Sequence, residues 1–286
     1  MPRALSIHIG VNHASAKAHL PLRQTEDVAW RMAQLAQRAG YDSMLVLRGE
    51  TATRQAVHTA LTAAAGMLAP GDTLLVTFCG HGTRMHAVED KERDGMDEGW
   101  CLSDGVLLDN RLAGYWRLFE KGVCIVVVSE SCYSGGMDRD DEDWEPGWQN
   151  PAPGWGNYRG EPSAIGLVRP CIAEPPKETL GILATVLLLT ASRKDQVARE
   201  GLYSEKLLAT WNDGAFEGSY CDLHHKVRTQ VMADCEQEPQ IIMVGSGDPA
   251  FCLKRAFYVD RDPWHGGGGG YRDAWDGRGV GDGYRG

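Results

Sequence analysis

Two short runs constrain this chain more than anything else in it: TLLVTFC at 73–79 and VCIVVV at 123–128. Both are rich in β-branched and aliphatic residues and too short for ordinary helices. A strand that is apolar on both faces must be covered on both faces, and covered sheets of this kind are largely parallel. Parallel neighbours need crossovers, usually helical. The rest of the chain supplies that alternation. ALSIHIGVN reads as a first strand, followed by a loop from Asn12 to Leu22. TEDVAWRMAQLAQRAGY places Val28, Met32, Leu35 and Ala39 at helical spacing, with Thr25 as the expected N-cap and Gly40 as the stop. SMLVL is a strand, TATRQAVHTALTAAAGML an alanine-rich helix and PGD a turn. A short strand is expected near Trp100 to Leu102, and DNRLAGYWRLFEKG is expected as a helix. Beyond residue 178, LGILATVLLLTASRKDQVARE reads as a strand and loop. SEKLLATWND and YCDLHHKVRTQVMAD read as helices, and PQIIMVG as a last strand. The pattern specifies an α/β fold with a mostly parallel central sheet and helices on both faces.

Composition narrows the function. The formal net charge is -10, which argues against a nucleic-acid partner, since neutralising phosphates needs a basic face. The longest apolar run, near LGILATVLLLT, is too short to span a bilayer, and the first residues carry no signal-peptide pattern. The 8 cysteines form no Cys-x-x-Cys pair, so reduced thiols and a cytoplasmic location are expected. Residues 138–178 break the pattern. DRDDEDWEPGWQNPAPGWGNYRGEPS is acidic, rich in Pro, Gly and Trp, and aperiodic, which marks a long surface connection. It is either an ordered loop packing its tryptophans or a segment open to processing. The glycine-rich stretch after about residue 259 is expected as a disordered tail.

In open parallel sheets, chemistry gathers in the loops at the carboxyl ends of the strands. Two of those loops begin GHG and ESCYSGG. Cys132 lies just past an interior strand, among serines and glycines. A cysteine nucleophile must be a partly exposed thiolate beside a base or cation. His81 follows another strand end, between Gly80 and Gly82. If those strands are neighbours, the two side chains converge although they are 51 positions apart. Glycine-rich backbone there could supply amides to an oxyanion. A lone cysteine is more often an inert core residue, and Cys124 and Cys252 fit that description. The nucleophile elbow Gly-x-Ser-x-Gly of serine hydrolases is absent.

LSIHIGVN, LRQTEDV, PGDTLLVTFCGHGT, DGMDEGWCLSDGVLLDN, VVVSESCYSGG, LTASRKDQVARE, GLYSEKLL and PQIIM together resemble the caspase-like cysteine peptidases, most closely the prokaryotic metacaspases or orthocaspases. The resemblance covers about residues 4–255, apart from most of the 138–178 connection. It implies a caspase-like three-layer sandwich. Residues 1–137 would form a p20-like catalytic part, 138–178 a linker, 179–258 a p10-like part and 259–286 the tail. It implies Cys132 as nucleophile, His81 as general base and then acid, and the amides of Gly82 and Cys132 as the oxyanion hole. Metacaspases cut after Arg or Lys, and the acids expected to receive that side chain fall on Asp27 and Glu130. Cys79 and Gln24 would line the same pocket. Relatives usually carry Asp where this chain has Glu130, so the pocket is expected to be shallower or its carboxylate displaced. Asp27 could instead serve only its helix N-terminus, and Glu130 could instead be a hydrogen-bonding residue behind the site. Calcium, where relatives need it, would fall on Asp97, Asp109, Asn110 and Asp138. The alternative is that these acids only solvate surface loops. Arg139, Arg159, Arg169 and Lys177 are the expected sites of self-cleavage in the connection. The implied partners are peptides or proteins with a basic P1 residue, and the implied active unit is a monomer. Two other readings stay open: a peptidase of the same fold with altered P1 choice, and a non-catalytic caspase-like interaction module.

Overall fold

The computed structural model describes residues 2–15, 21–86, 96–131, 181–193, 196–245 and 248–259. Cys132, the 138–178 connection with Arg139, Arg159, Arg169 and Lys177, Asp138 and the tail from 260 lie outside them.

Among the described residues six strands form the central sheet, in the order β2-β1-β3-β7-β8-β9. They are β1 (Ala4–Gly10), β2 (Ser43–Arg48), β3 (Thr73–Cys79), β7 (Cys124–Glu130), β8 (Thr185–Thr190) and β9 (Gln240–Val244). All neighbours are parallel except β9, which runs antiparallel to β8. The two apolar runs are therefore the interior neighbours β3 and β7. Strands from both sides of the 138–178 connection share this sheet, because β7 pairs with β8.

Among the described residues five helices cover the faces: α1 (Thr25–Arg38), α2 (Arg54–Met67), α3 (Asp109–Trp116), α4 (Leu202–Trp211) and α5 (Tyr220–Asp234). Even-numbered β7 residues Val126 and Val128 join Val28, Met32 and Leu35 of α1, Leu207 and Trp211 of α4, and Val227 and Val231 of α5 in one core. Odd-numbered Ile125 and Val127 pack on the other face with Val57 and Leu61 of α2 and Leu112 and Trp116 of α3. The period of two in the strand and the apolar stripe of each helix thus build the three layers. His8, on the α1 face of β1, is fully buried with Nδ1 2.9 Å from Thr77 Oγ1. Burial pushes its pKa down to about 3, so it stays neutral.

Three local expectations change. Thr25 is the first helical residue of α1 rather than its cap; Gln24 occupies the cap position. Asn12 Oδ1 accepts from both the Thr25 amide (3.1 Å) and its hydroxyl (2.7 Å), so the loop after β1 caps α1 from outside the helix. α3 ends at Trp116, short of the expected helix through Gly122. A three-stranded antiparallel sheet, β4 (Gly82–His86), β5 (Met96–Leu102) and β6 (Gly105–Leu108), stands where one short strand was expected. Gly40 does end α1, at φ +86°, a conformation that favours glycine.

Gly10 closes β1 against α1. A Cβ there would lie 2.4 Å from the Thr25 carbonyl oxygen and 2.8 Å from Glu26 Cα, both backbone atoms that cannot swing away. Gly10→Ala is expected to destabilise the fold by about 1–3 kcal/mol, the usual range for overpacking, read as a lower urea midpoint at unchanged slope.

Candidate active site

β3 and β7 end in register, with Cys79 opposite Glu130. His81 follows Cys79 by two residues, and in the sequence Cys132 follows Glu130 by two. The strands that sequence reasoning required to be neighbours are neighbours. The Gly80 amide donates to the Glu130 carbonyl at 3.2 Å, carrying the pairing one residue beyond β3. His81 is half-buried, and its carbonyl accepts from the Cys101 amide at 2.9 Å. Gly82 begins β4 opposite Trp100. The histidine is thus fixed on one side by β7 and on the other by the small sheet.

The end of β7 is held on both faces. On the α2–α3 face, Trp100 Nε1 donates to Ser129 Oγ at 3.1 Å, and Ser129 Oγ lies 3.1 Å from Ser131 Oγ. The Trp100 ring stacks on Phe78 at 4.5 Å between centroids, nearly parallel. A buried indole needs a partner for its N–H, and here that partner adjoins the residue before Cys132. On the α1–α4 face, Glu130 is 3% exposed. Its carboxylate accepts from the amides of Tyr203 (2.9 Å) and Ser204 (3.2 Å), from the Ser204 hydroxyl, and from Cys79 Sγ at 3.7 Å. Burial raises its pKa to about 7, against the pull of these hydrogen bonds.

The residues expected to form a pocket separate into groups. Cys79 and Glu130 touch. Gln24 reaches the same region from α1: a Cβ on Gly201, the residue before α4, would lie 2.9 Å from Gln24 Oε1. Glu200 joins the two helix starts, accepting from the Arg23 and Gln24 amides at 2.6 Å each. Asp27 lies in the first turn of α1 and is exposed. Of the residues expected to hold calcium, Asp109 and Asn110 open α3, where the Asn110 amide donates to the Asp109 carboxylate at 2.7 Å. The Asp97 side chain and Asp138 fall outside the described residues. Among the described residues no three acids, histidines or cysteines gather as a metal site, so these alone do not assemble one. Sequence reasoning did not single out Trp100, Ser129, Ser131, Glu200, Tyr203 or Ser204. Apart from Ser131, which bonds Ser129 two positions back, each acts through a partner far along the chain, and no local pattern marks such pairs.

Comparison with known proteins gives a consistent picture. The caspase domain family (Peptidase C14) matches residues 3–247. Two Arabidopsis thaliana proteins are similar over roughly half of this chain. Metacaspase-6 is 29% identical over 138 residues, 45% of this chain and 37% of its own length. Metacaspase-4 is 28% identical over 141 residues, 46% of this chain and 34% of its own. The match thus spans little more than a third of these plant proteins. Among solved structures, the Geobacter sulfurreducens protein GSU0716 superposes with a TM-score of 0.68 at 26% identity, over 90% of this chain and 99% of that one. Caspase-1 from Spodoptera frugiperda gives 0.55 at 12% identity, over 91% and 92%, a likeness of fold. Among the described residues, no helix is long and apolar enough to cross a membrane.

The raised pKa of Glu130 has a definite pH signature. Below about 4.5 both folded and unfolded chains hold the proton; between there and about 7 only the folded chain does. The unfolded state then binds fewer protons, so this group's contribution to stability falls as pH rises through that window and levels off above it. Urea midpoints at pH 5 and pH 8 should show the wild type losing stability relative to Glu130→Gln. An equal difference at both pH values would mean that Glu130 titrates normally.

Proposed function

Since the chain belongs to the caspase domain family of cysteine peptidases, we propose that it is an endopeptidase that cleaves after Arg or Lys with Cys132 and His81. The observation that carries this reading is the register of β3 and β7: histidine and cysteine each follow, by two residues, one member of the Cys79–Glu130 pair. His81 takes the Cys132 proton as the thiolate attacks the scissile carbonyl, then returns it to the departing amine. The amides of Gly82 and Cys132 receive the oxyanion. Water, activated by the same histidine, then hydrolyses the thioester and frees the enzyme.

A basic P1 side chain needs carboxylate close by, because an unpaired charge in a pocket is costly. Asp27, exposed on α1, and Glu130, buried at the end of β7, are the acids for this in the proposed pocket. Cys79 and Gln24 complete its lining. Arg139, Arg159, Arg169 and Lys177 are then sites at which the enzyme cuts its own connection. Calcium activation is a separate proposal that adds Asp97 and Asp138 to Asp109 and Asn110. Hard oxygen ligands of this kind suit the ion. One observation favours the second reading, altered P1 choice: the carboxylate of Glu130 is buried and already bonded to its neighbours.

Fluorogenic peptides with Arg, Lys or Asp at P1, with and without calcium, test the proposal. Arg and Lys peptides should be turned over, and Cys132→Ala or His81→Ala should lower kcat/KM by about 10²-fold or more. Purified Cys132→Ala protein should stay intact at the four basic sites while the wild type is cut. Preference for Asp would overturn the basic pocket, and trimming of purified Cys132→Ala at those sites would overturn self-cleavage.

A further inference from the structure

We propose that Glu130 is a positioning residue that ties the end of β7 to the start of α4, rather than a direct ligand of the P1 side chain. This rests on the basic-P1 reading above for the choice of substrates and revises its pocket, leaving Asp27 as the acid that meets the P1 side chain. A carboxylate has about four lone-pair sites. Oε1 of Glu130 accepts from the Tyr203 amide, Oε2 accepts from the Ser204 amide and the Cys79 thiol, and the Ser204 hydroxyl bonds the same carboxyl group. Its side chain is almost wholly covered. An incoming guanidinium or ammonium would have to displace one of these donors and leave it unpaired in the interior, which is unfavourable.

α4 explains why the donors are there. The first amides of a helix have no partner within it. Most helices take one from an N-cap side chain, but the residue at that position of α4 is Gly201, in the left-handed region at φ +75°, with no side chain to give. Glu130 supplies the missing acceptor from β7, and above about pH 7, where it is ionised, its charge sits at the positive end of the helix. The longer arm of glutamate is what makes the span. An aspartate at this position would hold its carboxylate one methylene further from Tyr203 and Ser204. The departure from the usual aspartate therefore matches the partner that this chain gives the residue. With Trp100, Ser129 and Ser131 clamping the opposite face, the strand end from which Cys132 follows is fixed from both sides.

The test compares full-length wild type, Glu130→Asp, Glu130→Gln and Asp27→Asn. Peptides carry Arg or its uncharged isostere citrulline at P1. Amide hydrogen exchange is followed at Tyr203 and Ser204, and the pH profile of Cys132 alkylation by iodoacetamide is recorded. Glu130→Asp should lower kcat on both peptides by the same factor, about tenfold or more for a lost charge-assisted hydrogen bond, leaving KM and the Arg-to-citrulline ratio unchanged. Exchange at Tyr203 and Ser204 should speed up, and the alkylation midpoint should move to higher pH. Asp27→Asn should instead reduce the Arg-to-citrulline ratio while leaving exchange and alkylation as in the wild type. Wild-type kcat and protected amides in Glu130→Asp would overturn the proposal. So would a collapsed Arg-to-citrulline ratio in Glu130→Gln with exchange and alkylation unmoved. If the wild type cleaves neither peptide, the basic-P1 reading fails, and the exchange and alkylation results alone uphold or overturn the role of Glu130.

Discussion

The in-register pairing of β3, β7 and β8 governs the rest of the molecule. β7 is paired with both neighbours through Ser129 and with β3 alone at Glu130, so the strand cannot shift without disturbing two ladders. Everything with chemical interest begins where those ladders stop. The register sets Cys79 beside Glu130, and the one-residue extension through the Gly80 amide carries alignment toward His81. A slip of one residue would turn Glu130 into the α2–α3 core and Ser129 toward α4, exchanging a satisfied carboxylate for a stranded one.

The two faces of the β7 end are held by different chemistry. One face uses an indole N–H and two hydroxyls, all neutral and insensitive to moderate pH. The other uses a buried carboxylate whose charge changes near neutrality. Glu200 performs a similar service for α1, accepting from amides at its start although Glu200 itself sits just before α4. Two acids are therefore spent on the helix starts that converge beside the site. Both helix termini point positive ends there, so those acids offset the local dipoles before any ligand is considered.

Much of the fold was legible because burial imposes period. The runs that became β3, β7 and β8 are largely apolar on both faces, β1 is apolar on one face with Ser6 and His8 buried on the other, and the stripes of α1 and α2 mark one face each. The strands β4 and β6 escaped notice because GTRMH and GVLL are short and carry no alternation long enough to read. The cap of α1 was misjudged at Thr25 because its acceptor, Asn12, comes from another element. At the site, strand ends and spacing pointed to His81, and the family resemblance placed Cys79 with Glu130. What surrounds them was not: Glu130 finds Tyr203 73 positions away, and Trp100 finds Ser129 29 positions away. Only the folded chain brings such pairs together.

The sheet also settles what a broken backbone between residues 131 and 181 would mean for the molecule. The two portions are joined by a six-residue parallel ladder between β7 and β8, by a core shared between α1, α4 and α5, and by the Glu130 carboxylate. A covalent loop adds to this mainly the entropy of keeping its ends together, a quantity that grows only with the logarithm of loop length. Scission there would release the new chain ends rather than the portions themselves, giving a nicked protein that sediments as one particle and separates into two only in denaturant.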